Sequence, residues 1–346
     1  MIESLPADIK RIAIFRALQL GDLLCAIPAV RAIKQHFPNS DITLVGLANQ
    51  KGIVTRFKHY FSDFIEFPGW PGLPERECDI RAIPDFLTYM QGRRFDLVIQ
   101  MQGNGYIVNP MCLLWGGRFV AGLCREGDYC PDEKLFPVMH EDEHEVKRFM
   151  KIAAALGANT SDSNLEFPVT KEEEARAREL LRQMNLAAGS YVCLHGGARD
   201  PRRRWNPQYF AKLADALAAE GYNILLTGSV FECEVLDEIS RRMHHPSKNL
   251  VSLFGQVELG ELAALIAYSA GLVSNDTGVS HIASALRVGS VVVFSEYSDP
   301  GRWRPLDTIL HHVILPEDAF DLSAVISRTL GHFRSIQKHN LVKEAD

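Results

Sequence analysis

The sequence predicts an α/β protein made of two doubly wound, parallel-sheet halves. Three observations lead there. Short apolar runs alternate with stretches of helical periodicity along the 346 residues. The runs are almost continuously apolar, as in parallel strands covered on both faces. A polar stretch at 158–170 (ANTSDSNLEFPVT) divides the pattern into two. The length suits two domains of ordinary size, each able to bury its own core. Lysine and arginine number 37 against 43 aspartate and glutamate, a formal net charge of −6. That balance argues against a general nucleic-acid binder held by a basic surface.

The first cycle starts with the strand Arg11–Phe15, then a loop through Gly21-Asp22 and a helix reaching about Phe37. Leu23, Ile27, Val30, Ile33 and Phe37 recur at spacings of three and four, one face of a 3.6-residue period. Pro28 either kinks this helix or lies near its true start. Strands follow at Ile42–Leu47 and Phe95–Met101. In the second half, Tyr191–Leu194 is a strand leading into His195-Gly196-Gly197-Ala198. Asn206-Pro207 opens a helix, with Asn as cap and Pro at the first helical position, and Gly221 ends it. The pattern continues with strand 223–227, helix 231–243, strand 250–254, helix 259–269, strand 271–274, helix 278–287 and strand 290–294. A final helical pattern spans about 319–338, with Phe320, Val325, Ile326, Leu330 and Phe333 as its apolar positions.

Open α/β sheets bind ligands beyond the carboxyl ends of their strands, near helix N-termini. Three such loops stand out. Leu20-Gly21-Asp22 puts a carboxylate at a helix start, as a cap or as a general base. The turn Arg199–Trp205 holds four arginines, as a solvated face or as forks for phosphate. Asn275–His281 opens a helix where Asp276 or Thr277 caps it, or where Thr277 and Gly278 receive an anion. Two other matches are weak. His140-Glu141-Asp142-Glu143-His144 fits the letters of a zinc-protease motif but lies in an acidic, surface-like stretch. Gly103-Asn104-Gly105 lacks the third glycine of a dinucleotide fingerprint. No P-loop lysine, GxSxG or Asp-x-Asp pair occurs, so a sugar transferase of this layout holds its leaving diphosphate with cationic side chains and helix ends. No metal site is expected. Seven cysteines without a CxxC pair suit a reducing compartment. The N-terminus has Glu3 and Asp8 around its first apolar residues and is not expected to be a signal peptide.

Four segments together resemble the ADP-heptose:lipopolysaccharide heptosyltransferases, glycosyltransferase family 9. They are LGDLLCAIPAVRAIKQHFPNSDI, HGGARDPRRRWNPQYFAKLADAL, VSNDTGVSHIASAL and SDPGRWRP, in that order along most of the chain. The resemblance implies a GT-B fold, two facing Rossmann-like domains. Residues 1–165 would form the acceptor domain and 166–318 the nucleotide-sugar domain. Residues 319–346 would form a helix packing back on the first domain. It implies an inverting, metal-independent transfer of heptose from ADP-heptose, without a cofactor, to a hydroxyl such as one of the lipopolysaccharide inner core. By position Asp22 matches the general base. Arg203 and Arg204, with Thr277 and Gly278, match the diphosphate grip. Glu232, Val257, Asp276 and His281 match the nucleotide and sugar contacts. The implied setting is cytoplasmic, peripheral to the inner membrane.

The sequence departs from the family pattern where Arg203 replaces a common Lys, where Gly196 replaces Pro, and through Phe294-Ser295-Glu296-Tyr297-Ser298. Two other readings are a GT-B transferase using another nucleotide sugar, or modifying a small metabolite or protein, and a non-catalytic nucleotide-sugar-binding protein. Among Trp70, Tyr89, Tyr106 and Trp115 of the first half, core packing is favoured over an acceptor groove.

Overall fold

In the computed structural model, which describes residues 5–6, 8–244, 251–252 and 255–343, the chain divides into two units, 1–165 and 166–346. The first contains, in chain order, β1 (Arg11–Phe15), α1 (Leu20–Leu24), α2 (Ile27–His36), β2 (Asp41–Gly46), α3 (Lys51–Arg56) and β3 (Phe61–Glu66). It continues with α4 (Ile83–Gly92), β4 (Leu97–Gln100), α5 (Val108–Leu113), β5 (Phe119–Ala121) and α6 (Glu145–Ala155). Its sheet runs β3-β2-β1-β4-β5, every pair parallel. The expected helix from Gly21 to Phe37 is two helices. Cys25 and Ala26 separate them, and Pro28 takes a first-turn position of α2, where its missing N–H costs nothing. Leu23, Ile27, Val30, Ile33 and Phe37 still form one buried face.

The second unit contains α7 (Lys171–Gln183), β6 (Tyr191–His195), α8 (Pro207–Ala219), β7 (Asn223–Leu226), α9 (Cys233–Arg242) and β8 (Val251–Ser252). Then come α10 (Leu259–Ala267), β9 (Gly271–Asn275), α11 (Gly278–Ala285), β10 (Ser290–Val293), α12 (Pro300–Trp303), β11 (His311–Ile314) and α13 (Leu322–Lys343). The sheet order is β11-β10-β9-β6-β7-β8, again parallel throughout. Residues 250, 253 and 254 of the strand expected at 250–254 lie outside the described residues. Asn206 caps α8 through Gln208 N at 2.9 Å, and Gly221 ends it at φ +94°. Residues 158–170 carry no helix or strand.

The final helix starts later than the periodicity predicts, and Phe320 stays outside it, exposed. The resemblance implies packing on the first unit. The more extensive contacts of α13 include those with α8 and β11, and Phe333 and Ile336 belong to the core of the second unit. Gly271 and Gly289 make this fit: a Cβ on either would collide with Phe333 or Ile336.

His311 is buried at the start of β11, its Nδ1 2.8 Å from Ser290 Oγ. Burial pushes its pKa down to about 4, against the attraction of Asp307. As pH falls below about 6.5 the unfolded chain gains a proton on this residue that the folded chain refuses until about 4. Stability is therefore lost across that window, by up to about 1.4 kcal/mol per pH unit. In urea titrations between pH 6.5 and 4.5, His311→Asn should show a shallower loss of stability than wild type; an identical slope would contradict this.

Candidate functional site

Both sheets have a place where the chain turns from one side to the other, and there neighbouring loops diverge and leave room for a ligand. In the first sheet it lies between β1 and β4. Arg16 follows β1 directly and is fully buried. Its Nη1 donates to Met101 O at 2.6 Å, and its Nε and Nη2 donate to Asp22 O at 3.2 and 3.1 Å. Nη2 also meets Glu145 Oε1 at 2.9 Å, and the guanidinium lies 4.6 Å from the Phe149 ring centre. Arg148 Nη1 is 3.3 Å from the other oxygen of Glu145. A buried guanidinium needs this many oxygens around it.

Asp22 sits in the first turn of α1. Its Oδ2 accepts Gln19 N at 3.1 Å, and its Oδ1 is 3.6 Å from Arg16 Nη2. The carboxylate thus caps the helix and is also partly exposed, at 22%, so capping and proton transfer are compatible. Arg16 and Glu145 were not picked out by sequence. Glu145 closely follows the acidic stretch read as surface-like, yet it is buried, because Arg16 draws it in. His144 of that stretch caps α6, its Nδ1 accepting Val146 N at 3.2 Å, and His140 is exposed on the preceding loop.

In the second sheet the turning place lies between β6 and β9. Asn275, fully buried at the end of β9, accepts Trp205 N at 2.8 Å and donates to Gly196 O and Gly197 O at 2.8 and 3.1 Å. One amide thereby shapes the loop after β6. The four arginines then separate by role. Arg199 is exposed. Arg202 forks onto Asp200 and lies 4.8 Å from the Tyr297 ring centre. Arg203 donates to Asp276 O at 2.6 Å and to Ser298 Oγ at 2.8 Å, and is ion-paired with the Asp276 carboxylate. Ser298 Oγ donates to that carboxylate at 2.8 Å. Arg203 serves its two partners with different nitrogens, Nε for Ser298 and Nη2 for Asp276, a fork that lysine lacks. Arg204 donates only its Nε, to Ala198 O at 2.9 Å, and makes no ion pair among the described residues.

Asp276 leads directly into α11. Thr277 takes the cap position, yet its Oγ1 is buried without a hydrogen-bond partner among the described residues. Gly278 is the first residue of α11, and His281, one turn on, is buried with its ring 6.3 Å from that of Trp303. Three of the four resembling segments therefore meet. Glu232 is buried after β7, its Oε2 accepting Ser229 N and Oγ, both at 2.8 Å. Its carboxyl lies against Gly197, where a Cβ would stand 2.2 Å from Oε1. His195 Nδ1 is 3.2 Å from Thr227 Oγ1, and its Nε2 is 3.9 Å from Glu232. Burial lowers the pKa of His195, against the pull of Glu232. Val257 is half-buried in the turn after β8, next to Gln256 and Glu258. Glu296 is exposed. Asn275 and Ser298 are the residues sequence reasoning did not single out, although both stand inside quoted segments.

Of the four aromatics of the first unit, Trp115 is a core residue, 5.5 Å from Phe15 and 5.9 Å from Phe86 between ring centres. Trp70 packs partly against that core, whereas Tyr89 and Tyr106 are exposed.

Two parallel doubly wound units of this kind make up the GT-B fold. The model of glycosyltransferase family 9 (heptosyltransferase) matches residues 86–322, and the chain belongs to that family. It is 22% identical over 293 residues to lipopolysaccharide heptosyltransferase 3 of Escherichia coli (strain K12), covering 82% of each chain. Its fold is similar to that of E. coli ADP-heptose LPS heptosyltransferase II, with TM-score 0.72, 19% identity, and 95% and 100% of the two chains covered. It is also similar to E. coli heptosyltransferase WaaC with ADP, with TM-score 0.67, 20% identity, and 93% and 99% covered.

Removing Glu145 leaves buried Arg16 with only the more distant Asp22 carboxylate, 3.6 Å away. Glu145→Ala should cost about 3–5 kcal/mol in chemical denaturation. A loss below about 1 kcal/mol would show that the other oxygens suffice.

Proposed function

We propose that the protein is an inverting, metal-independent heptosyltransferase that moves heptose from ADP-heptose to a hydroxyl of the lipopolysaccharide core. The observation that carries this reading is the tie between the basic turn and the start of α11 through Arg203 and Asp276, with Arg204 in no ion pair and Thr277 Oγ1 in no hydrogen bond among the described residues. Arg203 spends its charge on Asp276 and thereby fastens the basic turn to the start of α11. Arg204 and the N–H groups of that start then face the diphosphate, with Thr277 Oγ1 donating to it. Glu232 takes the ribose hydroxyls, and Val257 lines the adenine. His281 supports the sugar side. The donor assignment is supported by two proteins of similar fold, one an ADP-heptose LPS heptosyltransferase and one a heptosyltransferase in complex with ADP.

In the reaction the Asp22 carboxylate takes the proton of the acceptor hydroxyl as its oxygen bonds to the anomeric carbon. The bond from that carbon to the diphosphate oxygen breaks, and the electron pair leaves with ADP. A single displacement of this kind inverts the anomeric centre. The charge that develops on the diphosphate is met by fixed cations and dipoles. The lack of an Asp-x-Asp pair in the sequence supports a mechanism without a divalent ion. A lipid-linked acceptor brings the enzyme to the cytoplasmic face of the inner membrane; no described helix is long and apolar enough to cross one.

Asp22→Asn keeps an acceptor for Gln19 N but is a far weaker base. It should lower kcat by about 10²–10⁴-fold and leave ADP affinity unchanged in calorimetry. Near-wild-type turnover at saturating substrates would remove Asp22 from the chemistry. Arg204→Ala should weaken ADP binding by roughly 10–100-fold, the loss of one charge-assisted bond; Arg202→Ala should leave it within about twofold. Mass spectrometry of core oligosaccharide after incubation with ADP-heptose reads the transfer itself.

A further inference from the structure

Between β5 and α6 one loop begins at Cys124 and ends at Cys130. Both thiols donate to the same oxygen, Phe136 O, at 3.2 and 3.8 Å, and each lies within hydrogen-bonding reach of the other. Cys124 is buried, whereas Cys130 is half-buried. Main-chain bonds hold the Cys124 end: Met139 N donates to Cys124 O at 2.9 Å, and Cys124 N donates to Pro137 O at 3.4 Å. Between the two cysteines the chain turns, with Asp128 N on Arg125 O at 3.2 Å and Gly127 at φ +81°. Arg125, Glu126, Gly127 and Tyr129 are exposed there. Arg125 and Asp128 line a cavity of about 470 Å³ that also takes in Gln102, Asn104 and Tyr106.

We propose that Cys124 and Cys130 form a reversible disulfide with a small-molecule disulfide as oxidant, and that its closure pins the turn carrying Arg125 and Asp128 at the cavity wall. Two sulfurs gathered on one oxygen need little main-chain movement to bond, and the exposed turn between them can absorb it. Closing so short a loop also costs little entropy. The oxidised pair gives up only weak S–H donors. Cys130 reacts first, because it is the one open to solvent. Its sulfur bonds to one sulfur of the small disulfide, whose S–S bond breaks, and the released half takes the Cys130 proton. Cys124 Sγ then bonds to Cys130 Sγ, and the second half leaves with the Cys124 proton. Two protein thiols are oxidised, and one small disulfide is reduced to two thiols. Burial and then the side-chain hydrogen bond with Cys130 push the Cys124 thiol up to about 12. Cys124 therefore does not react with a dissolved oxidant by itself and waits for the mixed disulfide beside it. An excess of small thiol reverses both steps and returns the turn to its open form.

The test treats the folded full chain with glutathione disulfide, blocks remaining thiols with N-ethylmaleimide and maps the tryptic peptides by mass spectrometry. Trypsin cuts after Arg118, Arg125 and Lys134, so Cys124 and Cys130 fall on separate peptides with one cysteine each. In the wild type these two peptides should appear joined, lighter by two hydrogen atoms than their sum, and dithiothreitol should separate them. In Cys124→Ser, Cys130 should stop at the glutathione adduct. In Cys130→Ser, Cys124 should stay unmodified. Hydrogen exchange across 125–130 should slow by roughly threefold or more in the oxidised wild type and stay unchanged in treated Cys130→Ser. A wild type that accumulates the Cys130 adduct without the joined peptides overturns the disulfide. A glutathione adduct on Cys124 in Cys130→Ser overturns the order of attack, and joined peptides with unchanged exchange overturn the pinning. If Cys124→Ser does not fold by its melting curve, the wild type and Cys130→Ser decide.

Discussion

A guanidinium buried to the last atom is the constraint on which the first unit depends. Arg16 leaves β1 pointing inward, and no water can solvate it there. The main chain at Asp22 and Met101 and the carboxylate of Glu145 supply the missing oxygens. Each oxygen comes from a different part of the fold, so satisfying one side chain fixes the end of β1, the end of β4, the first turn of α1 and the start of α6 together. Asp22 gains its position from this arrangement before any substrate is present. Such preorganisation is what electrostatic catalysis requires. The second unit solves the equivalent problem with a neutral group: the Asn275 amide joins the loop after β6 to the end of β9 without a buried charge.

Local patterning made much of the fold legible. The apolar runs mark β1, β2, β4, β6, β7, β9 and β10, because a strand covered on both faces has little room for polar residues. Asn206-Pro207 marks the start of α8 because the cap chemistry is contained in two neighbouring residues. Edge strands were harder to see. β3 has the burial pattern of a half-covered strand, and the apolar runs mark neither it nor β5 nor β11. The break at Cys25 and Ala26 was also hidden, since α1 and α2 share one continuous apolar face. At the other end, Phe320 looks periodic with Val325 and Phe333 but lies before the helix.

The site was legible in its residue types and much less so in its pairings. Four arginines in one short turn look alike in sequence. Asp200 holds one through its own turn, Asp276 and Ser298 hold another from 73 and 95 positions away, and Arg204 forms no ion pair among the described residues. Glu145 lies 129 residues from Arg16, too far for any local signal. Two of the three departures from the family pattern also become coherent: Ser298 stands in the divergent 294–298 segment and bonds to Arg203. A changed cation and a changed partner occupy one hydrogen-bonded group.

The placement of α13 bears on how the molecule is made. Every element of the first sheet, and the helix that supplies Glu145, has been translated once residue 155 is in the chain. The second sheet is different. The glycines at 271 and 289 stay uncovered until Phe333 and Ile336 arrive. During synthesis on the ribosome the first unit can therefore complete itself while the second waits as a partly covered sheet. Its apolar face is exposed to chaperones, and to self-association, for the whole of that interval.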